Sequence, residues 1–478
     1  MKPTRTSQHW LLAFNLSLIG FAVLMDLRGS RVPAVSLLAV AVGSLLWQGG
    51  LYVRDLRCGD QFDVVPSIKK PHYYQIAFQG SVFLYWSLYW DPVTAWAPLI
   101  LAQIAFAYVF EALLSWSRHK TWRLGFGPWP IVGSINLFFW FKEDFFYLQL
   151  LLIAGTQLTK ELVTWKRDGR TTHIFNPSGI VVAIAGLSIM LTGRIDMAVG
   201  LDLIHSFSFA PNFFEVLLLV GLAVQFCFST TLITLGAALS LSLIYFSLKP
   251  LGLAPFAPFD TSVLIGLTLL ATDPQTSSSN RVGKFLFGLS YGLAIFMVYA
   301  WLRSLQQPAF FDKIFAVVVV NLLVKHFDVA GNWISDRVSS MRRTTRMFGN
   351  RFLHIGAYAV LFVAILPTLK ARNDGFVDPF PPHLLSPSRS NWDLYAKSLD
   401  IGNRYPDVRK PFGFWAEYIH FDEHAALRRD DAQVHVRLAR VLHSIGAYEL
   451  AIERLERAAK KDPKYAPLLA EAKADANR

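Results

Sequence analysis

From residue 10 to residue 369 the chain repeats one pattern, a long apolar run closed by a short polar break. Runs at 10–25, 32–53, 74–90, 93–116, 145–160, 213–228, 230–247, 285–302 and 352–369 predict membrane helices. Four more lie at 128–141, 179–191, 262–272 and 311–326. Several of all these runs are shorter than the ~20 residues that a full crossing needs, and the short ones beside the two Pro motifs are what discontinuous helices would give. The run 128–141, rich in Trp and Phe, has an interfacial segment as its alternative.

Two of the short runs break at proline. The run 263–271 ends in Ala271-Thr272-Asp273-Pro274-Gln275-Thr276-Ser277. The other is preceded by Thr172-His173-Ile174-Phe175-Asn176-Pro177-Ser178-Gly179. Proline cannot continue a helix from its N-terminal side, and it pushes the residue before it out of the α region. Two Pro-broken segments in corresponding positions of two halves point to a midplane binding site in an inverted-repeat membrane protein. The candidate binding residues are therefore Asn176, Pro177, Ser178, Thr272, Asp273, Thr276 and Ser277.

The pattern changes after residue 369. Residues 371–390, with Pro379, Pro381, Pro382 and Pro387, read as a linker, and 391–478 as a small soluble helical domain. Residues 432–465 fit one tetratricopeptide unit. Leu438, Ala439 and Leu442 space a first helix, Gly446 and Tyr448 mark the turn, Ala451, Leu455 and Ala458 space a second, and Pro463 ends it. One unit cannot bury its own faces, so the tail needs a neighbouring helical pair or a partner.

The fold class expected is thus an all-α polytopic membrane protein with discontinuous helices and a tetratricopeptide-like tail. N-terminal membrane helices occupy 1–128 and the membrane core 129–370. Composition agrees: 53% of residues are hydrophobic and the mean hydropathy is positive. The net charge of +12 sits mainly in loops expected on one face, so it points to the cytoplasmic leaflet and not to nucleic acid. Those loops hold Arg54, Arg57, Lys69, Lys70, Arg118, Lys120, Arg123, Lys166, Arg167, Arg170, Arg281, Lys284, Arg337, Arg342, Arg343, Arg346 and Arg351. An odd number of crossings puts the N-terminus in the cytoplasm and the tail in the periplasm of a bacterial inner membrane. Cys58 and Cys227 are too few for a disulfide framework. No phosphate-cradling glycine loop, nucleophile elbow or zinc-type Cys/His spacing occurs.

Individual residues carry paired readings. Asp273 is either a functional membrane-depth carboxylate or the cap of a helix that starts at Pro274. Helix N-termini at Asn176–Ser178 and Gln275–Ser277 would face one phosphate or anionic substrate. Lys160 reads as an interface lysine or a phosphate partner, and His173 as a backbone-bonded residue, a proton carrier or, with His326, a haem ligand. Asn321 is expected in mid-helix, bonding across helices. The many Phe and Trp residues read mainly as lipid-facing bulk and interface belts, or equally as rings that stack on an aromatic cofactor.

Ala271-Thr272-Asp273-Pro274 with Asn280 to Gly288, Phe175-Asn176-Pro177-Ser178-Gly179, and the Asn321-bearing segment resemble, in order and spacing, the motifs of the RnfD/NqrB membrane subunits. The branch most similar is that of enediyne-biosynthesis membrane proteins. The resemblance implies inverted helical repeats, FMN or another flavin, electron transfer with other membrane redox subunits, and a secreted partner for the tail. The family's Ser-Gly-Ala-Thr stretch, which carries esterified FMN, is not found here. Two further functions fit the same residues: a flavin-free transporter of a small solute, and a membrane scaffold that recruits a secreted protein.

Overall fold

The structure is a computed structural model. It describes residues 6–199, 213–248, 261–305, 311–338, 352–363 and 448–476, apart from 89 and 168, with isolated positions among 203–207, 307 and 432–443. Helices dominate. In chain order they are α1 (Thr6–Leu27), α2 (Arg31–Cys58), α3 (Lys70–Ser87), α4 (Asp91–His119), α5 (Pro128–Phe138), α6 (Phe146–Leu162) and α7 (Pro177–Leu191). There follow α8 (Phe213–Phe228), α9 (Thr231–Leu248), α10 (Thr261–Ile265) with a π-helical turn at Gly266–Leu270, α11 (Arg281–Ser304), α12 (Asp312–Leu322), α13 (Val324–Val338) and α14 (Phe352–Val363). Near the C-terminus lie α15 (Tyr448–Lys461) and α16 (Ala466–Ala476).

By length and composition α1, α2, α4, α9 and α11 can each cross a membrane, and α12 with α13, bent by 62°, makes a sixth span if counted as one. The chain is a multi-pass membrane protein. The short apolar runs are short helices: α5 and α12 have 11 residues each, about 16 Å at 1.5 Å per residue, roughly half the hydrocarbon thickness.

The fold is not purely helical. Strand β1 (Asp63–Pro66) pairs in parallel with β2 (Thr121–Leu124), and β3 (Thr164–Arg167) forms an antiparallel hairpin with β4 (Arg170–His173). These loops are long enough to leave backbone donors unpaired, and pairing with each other satisfies them away from lipid. The β1–β2 pair ties the connection after α2 to the one after α4.

Helix ends sort onto two faces. On one, Lys120 pairs with Asp60, Arg118 and His119 with Glu161, Lys284 Nζ donates to the Ser229 carbonyl at 3.1 Å, and Lys325 lies 4.4 Å from the Trp165 ring. Several of the basic loop residues are thus tied to neighbouring helix ends; Arg342, Arg343, Arg346 and Arg351 lie outside the described residues. On the other face Ser30 donates to Glu143, the Lys142 amide to the Met197 carbonyl, and Arg194 covers the Phe145 ring.

Close packing depends on small and polar side chains, as it does where lipid removes the hydrophobic drive between helices. Helices α9 and α11 touch backbone to backbone. A Cβ on Gly288 would lie 2.8 Å from the Ile233 carbonyl carbon, and one on Gly292 would lie 2.6 Å from the Ala237 oxygen. Polar pairs bind other helices: Asn136 Nδ2 donates to Gln103 at 2.7 Å, and Gln225 Nε2 to Thr234, whose hydroxyl bonds the Leu267 carbonyl at 3.0 Å. The aromatic residues are not mainly lipid-facing. Trp86, Trp116, Trp122 and Trp140 are fully buried. Trp86, Trp90, Trp96 and Trp140 stack on one another with ring centres 4.8–5.6 Å apart, because stacking hides their area from lipid and water alike.

In the tail, Ala451, Leu455 and Ala458 form one buried stripe of α15, against which α16 folds back through the turn at Pro463. Leu438, Leu442 and Gly446 lie outside the described residues.

Candidate functional site

The two Pro-broken segments meet. Asn176 caps α7, its side-chain oxygen accepting from the Gly179 amide at 3.1 Å with Pro177 in the first turn. This is the helix start that Asn-Pro specifies. Across from it the π-helical turn Gly266–Leu270 runs into turns at 271–280. Asn176 Nδ2 reaches the Leu270 carbonyl at 3.4 Å, over 94 residues of sequence.

Asn321 joins them from a third element. Its Oδ1 accepts from the Asn176 amide at 3.0 Å and its Nδ2 donates to the Thr276 carbonyl at 3.0 Å. It is fully buried. The residue is not in mid-helix: it sits in the last turn of α12, before the break at Leu323. It bonds two turns and not another helix, because only irregular backbone has groups to spare at that depth.

Asp273 does not start a helix. Its Oδ1 accepts from the Gln275 amide at 3.0 Å and its Oδ2 from the Thr276 hydroxyl at 3.0 Å, while the next helix waits until Arg281. The carboxylate closes its own turn, so the helix N-terminus expected at Gln275–Ser277 is absent. Helix α11 is capped instead by Asn280, which accepts from the Gly283 amide at 2.6 Å.

Between the two turns lies a cavity of about 140 Å³. Asn176, Pro177, Ser178, Thr272 and Asp273 line it, with Lys160, His173, His72, Gln75 and Gln79. Thr276 and Ser277 are buried but do not line it; Thr276 holds the wall through its bond to Asp273. Lys160 is more than an interface lysine, for its Nζ lies 3.3 Å from Glu111 Oε1. That carboxylate also receives the Trp122 indole at 3.4 Å. Gly127 makes room here: an added Cβ would lie 3.3 Å from Glu111 Oε1 and 3.7 Å from the His72 ring. His173 ends the β3–β4 hairpin. Burial holds its imidazole below the usual histidine range, against the pull of Asp273, and Lys160 adds to the lowering. It therefore stays neutral near pH 7. Since the folded state resists its protonation, stability falls as pH drops through the ordinary histidine range near 6.5. His326 is exposed on α13 and does not line the cavity, so the two do not form a haem pair.

A second polar knot holds the turn in place. Asp328 on α13 accepts from Ser278 Oγ at 2.6 Å and the Ser279 amide at 2.8 Å, and Arg167 Nε of the hairpin lies 3.6 Å from its other oxygen. His72, Gln79 and Glu111 carry no motif. His72 and Gln79 come from α3 and Glu111 from α4, and no spacing in the sequence relates them to the Pro turns.

No family model, curated protein or solved structure matches the chain. Pockets for cofactor-sized ligands begin at roughly 300 Å³. At about 140 Å³ the enclosed part of this cavity is below that size. Among the described residues no cluster of three metal-ligating side chains occurs.

Proposed function

We propose that the protein moves a small polar solute across a membrane through the cavity between Asn176-Pro177-Ser178 and Thr272-Asp273. The observation that carries this reading is the meeting of two Pro-broken segments around a polar cavity in a multi-pass membrane fold. Broken helices free backbone groups at membrane depth, and these are tolerated where they line a cavity. An ionisable side chain such as Asp273 there marks a solute or proton path. The electron-transfer function implied by the RnfD/NqrB-like motifs would need a flavin, a ligand larger than the enclosed part of the cavity at about 140 Å³.

Asp273→Asn is expected to leave the protein inserted, with unchanged elution in detergent, and to abolish solute transport in proteoliposomes. Flavin fluorescence in the supernatant of acid-precipitated wild-type protein would return the function to electron transfer. Loss of insertion in the variant would reduce Asp273 to a turn-former.

The gathered basic loops support a cytoplasmic location for the cavity face, with the N-terminus on the same side and the tail in the periplasm. Alkaline phosphatase fused after residue 478 should then be active in a bacterial host, and an inactive fusion reverses the orientation. The tail, as one tetratricopeptide-like unit, would offer its remaining face to a secreted protein.

A further inference from the structure

Charge balance in the cavity bears on which solute enters it. We infer that the solute is a small monovalent cation with N–H donors, that is, ammonium or a short primary amine. This rests on the transport reading above and names its substrate class.

Three charged side chains set the balance. Lys160 lies against Glu111 at 3.3 Å, so its charge is spent on a carboxylate within the fold. Asp273 has only neutral donors, the Gln275 amide and the Thr276 hydroxyl. No ion pair reaches it among the described residues. The half-buried Asp273 carboxylate thus faces the cavity without a paired cation, an arrangement that favours an arriving counter-charge. An anion entering would meet that carboxylate; a cation would neutralise it.

The remaining wall suits an amine. His72 and His173 each bring a buried Nδ1 that has no hydrogen-bond partner. A neutral imidazole presents a lone pair there when its proton sits on Nε2. Gln75, Gln79 and Ser134 add carbonyl and hydroxyl oxygens. Phe78 and Phe228 supply aromatic rings, whose faces attract an ammonium group. The charged groups that face His173 are Asp273, Lys160 and Glu161, and those that face His72 are Lys160 and Lys69. The enclosed volume of about 140 Å³ suits a small solute.

The test is calorimetric titration of the purified full-length protein in detergent with methylammonium, glycine, acetate and glycerol at neutral pH. Methylammonium should bind, glycine at least tenfold more weakly, and acetate and glycerol not at all. Asp273→Asn should weaken methylammonium at least tenfold. Acidification should weaken it in the wild type, as protonated His173 brings a second positive charge beside Asp273. Tighter binding of acetate, glycine or glycerol than of methylammonium overturns the cation assignment and leaves the transport reading standing. No binding of any of the four by folded protein also overturns it. Should that protein carry a flavin, the transport reading fails with it. The wild-type comparison decides the matter even where Asp273→Asn does not insert.

Discussion

Asn321→Ala is expected to lower stability by roughly 2–6 kcal/mol and to abolish solute binding together with it. The side chain satisfies two buried backbone groups, the Asn176 amide and the Thr276 carbonyl, each at 3.0 Å. Truncation orphans both, at about 1–3 kcal/mol for each group. No water replaces the amide readily, because the site is fully buried. The same bonds hold α7 and the Asp273 turn at a fixed separation, so the cavity loses its shape as the fold loses stability. Asn321→Asp isolates the donor half of the clamp. It keeps an acceptor for the Asn176 amide but sets an oxygen against the Thr276 carbonyl, so it should be destabilised as well. Thermal unfolding in detergent, followed by tryptophan fluorescence, reads the first effect and calorimetric titration the second. A melting curve of Asn321→Ala that overlays the wild type would remove the clamp from the argument.

The second large effect concerns α9 and α11. Gly288→Ala should prevent the two helices from docking, and the variant should fail to accumulate as a monodisperse species. A methyl group there would collide with the carbonyl of Ile233 and lie 2.8 Å from its carbon. Backbone cannot move aside as a side chain tip can, so the cost should reach or exceed the ~1–3 kcal/mol typical of overpacked cores. Gly43→Ala is the matched control. Gly43 on α2 has nothing within 4 Å of an added Cβ, so its replacement should be neutral or stabilise by roughly 0.5–1 kcal/mol. Size-exclusion profiles of the two variants check the contrast, and a well-folded Gly288→Ala protein would show that the interface can open.

Much of this architecture is readable in the chain. Period and length of the apolar runs are local properties, and they place most helices within a few residues of where they lie. Asn176-Pro177 specifies a helix start because Pro presets one dihedral and Asn supplies the capping oxygen, and α7 starts there. Asp273-Pro274 carries the same local signal, yet the structure makes it a turn. A side chain that can cap a helix can equally close a turn, and the groups that decide lie far off in sequence, in Asn321 and Asp328. The loop strands were not legible either, since four-residue pairings form only when two connections are brought side by side.

By itself, then, the sequence determined a chain of membrane helices interrupted at two prolines, with positive charge collected between them. These follow from dihedral limits, helix rise and the cost of charge in lipid. Tertiary structure alone decided that the two breaks share one cavity, that Lys160 is neutralised by Glu111, and that Asp273 is left with neutral partners. The first two are relations between residues on different elements, and the third holds because no cation from another element reaches the Asp273 turn among the described residues. Spacing along a chain does not encode them, because they depend on how the helices pack.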